Sequence, residues 1–464
     1  MLGRSARLGL DFTANLVMMR QLGPAPFGLV AMASAIMAAF AAVSDAGVAS
    51  SLVSDKMLSS ARVGAAALCA LALGFATAVI AAVFAPVVVA IYSDSRLLGI
   101  WLVASITLGL TPLSSVPQAL AQREERFART AFLPVLATAL GAAVGIGLAH
   151  ARHDHWAIIA RQTSTAAFMV ALFWLVQRPR MSRPSRADLS EVLRFGRGVL
   201  GFDLVNALSR NADKFIVGRW LGDQALGLYT LGYRILTLPL SQVGAVATNL
   251  AYPRLSRLDK PEDVGPALGE VMATVAVITT PLCIGLSVAA PELVVVLFGP
   301  AWSGAIVPFR MLALLGVYQA PFAIVWLAYK VSRRTDAMAR WALISTPPTV
   351  LSFAIGLPWG INGVAASYAL MSLALSVPLT KSAAAVLNVR PWVLAAPAVR
   401  GILRGTVLAL PVGAAYLLAR AIGLGDRWVL AAAAGTGAVT EALLLLKLHR
   451  SSGRSKVQAL SRRV

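Results

Sequence analysis

Acidic side chains are scarce in this chain: 20 Asp and Glu stand against 41 Lys and Arg, and charged residues make up only 13% of the 464. A soluble domain carries about 25% charged residues, so half that share cannot coat a globule in water. Cysteine is scarcer still. Cys69 and Cys283 both fall inside apolar runs, which leaves neither a CxxC metal motif nor a disulfide framework. The phosphate-cradling pattern Gly-x4-Gly-Lys-Ser/Thr is missing, and with it the means to hydrolyse ATP. Polar segments are short. The longest, Gln177 to Arg197, is the sole stretch outside the apolar runs with room for local structure, so any chemistry must sit within or beside those runs.

What the chain has is grease. Apolar residues make up 58%, mean hydropathy is +0.75, and the runs repeatedly reach the roughly 20 residues that cross a bilayer. The pattern predicts an all-α polytopic membrane protein of about 14 spans, near 3–19, 27–53, 63–91, 97–121, 131–149, 156–176, 196–217, 225–251, 267–297, 304–330, 339–356, 361–387, 399–419 and 428–447. Arg4 and Arg7 before an apolar run resemble a signal peptide, but Asp11 and Asn15 interrupt it and no small-residue cleavage pattern follows; a retained first span is expected.

The net charge of +21 raises nucleic acid as a partner, and position answers it. Alternate loops collect the cations: Lys56 and Arg62, Arg123 to Arg129, Arg178 to Arg197, Arg254 to Lys260, Lys330 to Arg340, and Lys381 with Arg390. Both ends are basic too, with Arg454, Lys456, Arg462 and Arg463 in the tail. The positive-inside rule places those loops and both termini in the cytoplasm. Aromatic interleaving and nucleic-acid motifs are missing from them, so no nucleic-acid partner is expected.

An internal repeat organises the spans. Arg20-Gln21-Leu22-Gly23 with Phe27-Gly28-Leu29 returns as Arg219-Trp220-Leu221-Gly222 with Leu226-Gly227-Leu228, a constant shift of 199. Pro86 to Tyr92 rhymes with Pro291 to Phe298 at a shift of 205–206. Two related halves follow: a six-helix lobe over 1–177, a cytoplasmic amphipathic linker over 178–195, a second six-helix lobe over 196–390, and a helix pair with a basic tail over 391–464. In the linker, Asp188 ahead of Leu189, Val192, Leu193 and Phe195 reads as an N-cap. Span 7 begins near Gly196, and subtracting 199 lands before Met1; either span 1 lacks its first turn or the true start lies upstream.

Ionisable groups at membrane depth cost about 2.5–3.5 kcal/mol each on insertion scales, so each is a functional candidate. In span 7, Asp203, Asn206, Arg210 and Lys214 recur at helical spacing on one face. Subtracting 199 gives Arg4, Arg7, Asp11 and Asn15: the polar stripe persists between halves while its charges change. Two such stripes imply a water-filled cleft; internal ion pairing is the alternative. Asp213 lies beside the face, three residues from Arg210, a spacing at which the two can pair. Arg234 begins a further polar face with Thr237, Ser241 and Thr248. Arg161 and Arg310 stand nearer external ends, where snorkelling competes with substrate contact. Asp45 is a candidate for pairing or proton carriage. His150, His153 and His155 share a short external loop with one acidic neighbour, Asp154, and read as solvated rather than metal-binding. Gly141 and Gly145 form a GxxxG packing motif. No metal or cofactor is expected.

The motif set resembles the polysaccharide-transporter branch of the multidrug/oligosaccharidyl-lipid/polysaccharide exporter superfamily. The likeness rests on RQLGPAPFGLVAMA from Arg20, Asp45-Ala46-Gly47, ADKFIVGRWLGDQALGLYTLGYRILTLPLSQV from Ala212, YPRLSRL from Tyr252 and LFGPAW from Leu297. The subgroup it most resembles holds the lipopolysaccharide and exopolysaccharide flippases. That resemblance implies two six-helix lobes plus two helices, a cationic cavity, and movement of undecaprenyl-pyrophosphate-linked oligosaccharide from the cytoplasmic to the periplasmic leaflet of the bacterial inner membrane. It also implies coupling to a proton or sodium gradient in some members. The partners it implies are the lipid-linked oligosaccharide, membrane lipids, a polysaccharide polymerase and chain-length proteins. Cavity roles carry over to Arg210, Lys214 and Arg234. Two alternatives share the fold: a multidrug or small-solute cation antiporter, which calls for an acidic cavity, and a peptidoglycan lipid-precursor flippase. A polymerase enzyme would need a long external loop, which the sequence lacks.

Overall fold

The computed structural model describes residues 2–45, 52, 59–124, 126–258 and 260–442. The basic tail with Arg454, Lys456, Arg462 and Arg463, the end of the last expected span, Lys56, and the Ala46-Gly47 step lie outside them. Among the described residues the regular structure is helical throughout: α1 (Leu2–Leu22), α2 (Pro24–Asp45), α3 (Ser60–Val83), α4 (Ala85–Tyr92), α5 (Leu97–Arg123), α6 (Phe127–Arg152), α7 (Trp156–Gln177), α8 (Arg186–Leu255), α9 (Pro261–Val288), α10 (Ala290–Phe298), α11 (Ile306–Ala323), α12 (Trp326–Val331), α13 (Thr335–Gly356), α14 (Gly360–Val386) and α15 (Pro391–Ala421). A further helix, α16, covers 426–442.

Among the described residues, nine helical stretches are long and apolar enough to cross a membrane, one of them, Thr335–Val386, holding both α13 and α14. The protein is an all-α, multi-pass membrane protein. Helices α1 and α8 fall outside the nine, and both carry the polar stripes, whose charges dilute their hydropathy. The total of about 14 crossings remains an expectation from the pattern. The outer surface suits lipid: Phe75 is 71%, Leu370 70% and Leu417 67% exposed, an arrangement that water would penalise and acyl chains do not.

With lipid outside, burying grease cannot drive helices together, so close packing of small residues must. A methyl added at Gly74 would lie 2.6 Å from the carbonyl oxygen of Gly109, which seals α3 to α5. Gly269, Gly401 and Gly405 do the same for α9 and α15. The GxxxG of α6 behaves as its pattern predicts: Gly141 faces Thr165 and Gly145 faces the stem of Arg161 on α7. One core cluster of the second half gathers Leu268, Met272, Tyr329, Ala383 and Leu387.

Packing groups the chain into two compact units, Met1–Thr230 and Leu231–Val464. The expected lobe limits follow the sequence repeat, whereas this grouping follows contact and sets the first limb of α8 with α1 to α7. The linker is tied down within that first unit. Ser182 N–H donates to the Ser60 carbonyl at 3.1 Å, and Leu189 packs on the cluster of Val63, Ala66 and Val116. Sequence spacing made Asp188 the N-cap, but helix α8 begins at Arg186 and Ser185 caps it. Asp188 N–H donates to Ser185 Oγ at 3.2 Å while the Asp188 carboxylate accepts from Ser185 N–H at 3.0 Å. A reciprocal box needs its acid three residues inside the helix, not at its edge.

The sequence repeat returns as a conformational repeat. Gly23, between α1 and α2, has φ +72°, and Gly222, 199 residues on, breaks α8 with φ +84° and ψ −179°. Only glycine takes such angles without a Cβ penalty. Five residues past each break, the two copies meet in the first unit. A Cβ on Gly28 would collide with the carbonyl oxygen of Asp223, and one on Gly227 with that of Pro24. Since 24 and 28 map by 199 onto 223 and 227, the contact is nearly its own mirror across the repeat. The short helices α4 and α10 correspond likewise. Overpacking a tight contact costs about 1–3 kcal/mol, so Gly28→Val and Gly227→Val should each lower the melting temperature of the detergent-solubilised protein by several degrees. Gly244, with nothing within 4 Å of its virtual Cβ, should tolerate alanine unchanged; equal melting of all three variants would dismiss the contact.

Candidate functional site

Three candidates from the sequence come together in the first unit. Arg161 on α7 reaches α1, where Nη1 donates to Asp11 Oδ1 at 2.7 Å and Nη2 to Asn15 Oδ1 at 3.3 Å. Asn15 in turn donates through Nδ2 to the Asp11 carbonyl at 2.6 Å and to Asp11 Oδ2 at 3.3 Å. Arg161 and Asn15 are buried, while Asp11 keeps a third of its side chain exposed. A lone guanidinium at this depth would be costly; the carboxylate and amide offset it. Arg161 does not snorkel. Gly145, lacking a side chain, leaves the room through which its stem passes.

The stripe on α8 is placed differently. Arg210 is exposed, and Lys214, half-buried, donates from Nζ to Asn211 Oδ1 at 3.0 Å. Asp213 is buried and accepts from Tyr229 Oη at 3.3 Å, across the Gly222 break, rather than from Arg210. Its other oxygen is buried without a hydrogen-bond partner. The side chains of Asp203, Asn206 and Asp45 lie outside the described residues. In the second unit, Arg234 is half-buried, and Thr237 Oγ1 donates back to its own helix, to the Tyr233 carbonyl at 2.8 Å and the Arg234 carbonyl at 3.3 Å. Arg310 is exposed and binds α11 to α9 by donating from Nε to the Ser287 carbonyl at 3.2 Å.

Sequence reasoning missed two clasps. Glu292 on α10 is 1% exposed and accepts from Arg420 Nη2 at 2.6 Å and from Tyr416 Oη at 3.1 Å, both on α15. An acid inside the apolar run APELVVVLF was the available signal. The other clasp lies outside the spans, where Arg96 donates to Asp94 Oδ2 at 2.6 Å and to Asp223 Oδ2 at 2.8 Å. It fastens the loop after α4 to the residue beyond the Gly222 break. The side-chain hydrogen bond from Arg96 holds the Asp94 carboxyl below the usual carboxylate range, and the same bond raises the guanidinium. A depressed acid loses its contribution only as pH falls through its folded value, so the clasp stays intact through neutral and mildly acidic pH. Burial lowers the nearby His155, which favours its neutral form. Among the described residues no group of His, Cys, Asp or Glu is arranged to hold a metal ion.

The profile of the polysaccharide biosynthesis protein family matches residues 17–307. The chain belongs to that family. Two of its relatives are the teichuronic acid biosynthesis protein TuaB of Bacillus subtilis (strain 168), 27% identical over 51% of this chain and 50% of that one, and the succinoglycan biosynthesis transport protein ExoT of Rhizobium meliloti (strain 1021), 24% identical over 76% and 72%. The alignment spans half the length of the first relative. The fold of this polysaccharide biosynthesis protein is shared with the lipid II flippase MurJ in an inward closed conformation, at TM-score 0.73, 13% identity and 96% and 97% coverage. It is shared too with an inward-facing multidrug resistance transporter of the MATE family and MOP superfamily, at TM-score 0.62, 16% identity and 82% and 98% coverage.

The Asp11–Arg161 pair gives a direct test. Asp11→Ala leaves a buried guanidinium short of its counter-charge and should destabilise strongly, whereas adding Arg161→Met should restore part of the loss. A double-mutant cycle on thermal unfolding should return a coupling of about 1–3 kcal/mol; additive effects would show that the pair does not hold α1 to α7.

Proposed function

We propose that this polysaccharide biosynthesis protein is a flippase that carries undecaprenyl-pyrophosphate-linked oligosaccharide from the cytoplasmic to the periplasmic leaflet of a bacterial inner membrane. The observation that carries the reading is the family match over 17–307, which takes in α2 to α10. Relatives named for teichuronic acid biosynthesis and succinoglycan transport support a surface-polymer precursor as cargo, and the fold is one that a lipid flippase and a drug transporter also use. The reading is of a carrier, not an enzyme.

The chemistry of the candidates fits an anionic handle. Arg210 and Lys214 would bind a pyrophosphate through short charge-assisted hydrogen bonds, and Arg234 is a further candidate of the same chemistry. Sugars would occupy a polar cavity while the polyprenyl tail stays in lipid. Alternating access would then expose the headgroup on the opposite side. Moving one elementary charge across 100 mV is worth about 2.3 kcal/mol, enough for protonation or cation binding at Asp45, Asp203 or Asp213 to bias the cycle. Both termini would face the cytoplasm, where the basic loops accumulate, and a polymerase with chain-length partners would take the product. A cation antiporter would call for acids where this set is basic.

Replacing Arg210 and Arg234 together with alanine should abolish surface polysaccharide while membrane levels of the protein stay normal. Leaflet-resolved labelling of the lipid-linked sugar should show it stranded on the cytoplasmic side in a deletion strain. Unchanged polymer output from the double variant would remove the cavity assignment, and normal periplasmic labelling in the deletion strain would remove the function.

A further inference from the structure

Between α2, α5 and α7, wholly within the first unit, lies a pocket of about 260 Å³ lined by Ser34, Thr107, Thr111 and Gln162 along with small and aliphatic side chains. Alanines such as Ala38 and Ala104 leave the space that larger residues would fill. None of the described lining residues is charged. Pockets for drug-sized ligands run to about 300–1,000 Å³, so this one has room for a single small ring. Ser34, Thr111 and Gln162 are exposed and within reach of a ligand.

The hydroxyl protons decide which ligand chemistry fits. Ser34 Oγ donates to the Val30 carbonyl at 2.8 Å, Thr107 Oγ1 to that of Val103 at 3.1 Å, and Thr111 Oγ1 to that of Thr107 at 3.0 Å. Thr107 also shares a 2.7 Å hydrogen bond with Thr163. With the Ser34 and Thr111 hydroxyls donating to their own helices, their oxygens keep lone pairs free to accept from a ligand. A phosphate needs donors and finds few here. The neighbouring cation is engaged as well, since Arg161 turns to the opposite side of α7 and is held by Asp11 and Asn15. A hydroxyl-rich neutral group fits: its O–H groups donate to Ser34 and Thr111, Gln162 answers as donor or acceptor, and its C–H face lies on Ala33 and Leu108.

We propose that this pocket receives one uncharged sugar ring of the lipid-linked oligosaccharide, separately from the cations that take the pyrophosphate. This rests on the flippase reading above and adds a sugar subsite to it.

The test compares two lipids on the full-length protein in nanodiscs: undecaprenyl pyrophosphate, and the same lipid carrying a single galactose or glucose. Wild type should bind the sugar-bearing lipid more tightly. Thr111→Val, which keeps shape and removes an acceptor, should cut that preference about two- to tenfold, the worth of one neutral hydrogen bond, and leave the bare lipid unaffected. Thr111→Ser should restore it. Ala104→Leu should close the pocket and erase the preference; should it fail to fold, the isosteric valine variant still decides. A wild type that binds both lipids equally, or a valine variant that keeps the full preference, overturns the subsite. A wild type that binds neither lipid overturns the flippase reading and the subsite with it.

Discussion

The reciprocal approach of Gly28 to Asp223 and of Gly227 to Pro24 is the constraint on which this architecture rests. Each glycine sits five residues past a left-handed glycine that breaks a helix. A side chain at either contact position would collide with backbone, which cannot swing aside as a long side chain would. The break and the crossing are therefore one device used twice. Around it gather the contacts that hold the first limb of α8: Gly218 beside Met32 and Tyr92, Tyr92 stacked edgewise on Phe215 at 5.9 Å, and Arg96 bound to Asp223. The tightest packing and the ionic clasp thus occur at the same corner.

Charge in the apolar helices obeys a second rule. Among the described residues two deeply buried charges are paired, Arg161 by Asp11 and Asn15 and Glu292 by Arg420 and Tyr416, while buried Asp213 is met by Tyr229 on one oxygen only. In a low-dielectric setting an unmatched charge is expensive, so these groups are engaged in holding helices together. Arg210 differs, being exposed on a helix face it shares with other polar residues, Asn206 and Lys214. In the proposed flippase this accessible cation is one of the groups assigned to the anionic headgroup.

Much of the fold was legible in the chain. Apolar runs of bilayer length placed the helices, because in lipid each backbone group must be satisfied within its own segment. The 199-residue shift foresaw Gly23 and Gly222 as equivalent breaks, and the rhyme of Pro86 with Pro291, expected in short connections, marked two segments that are short helices, α4 and α10. The site was less legible. Asp11, Asn15 and Arg161 were each suspected, but nothing in their spacing said that Arg161, about 150 residues away, completes the α1 stripe. Arg210 as the partner of Asp213 followed from helical spacing, yet Tyr229 takes that place because the Gly222 break turns the chain back on itself. Glu292 went unnoticed, since its partners are more than 120 residues distant.

The sequence by itself determined that this is a helical membrane protein built on a repeat, where its long apolar helices run, and several of the polar residues that stand among them. Those properties are local or periodic, and periodicity survives in one dimension. Only the tertiary structure decided which of those polar residues neutralise one another and which stay accessible, and where alanines open a pocket between helices. Pairing depends on distances between segments far apart in the chain, and no spacing along the sequence encodes them.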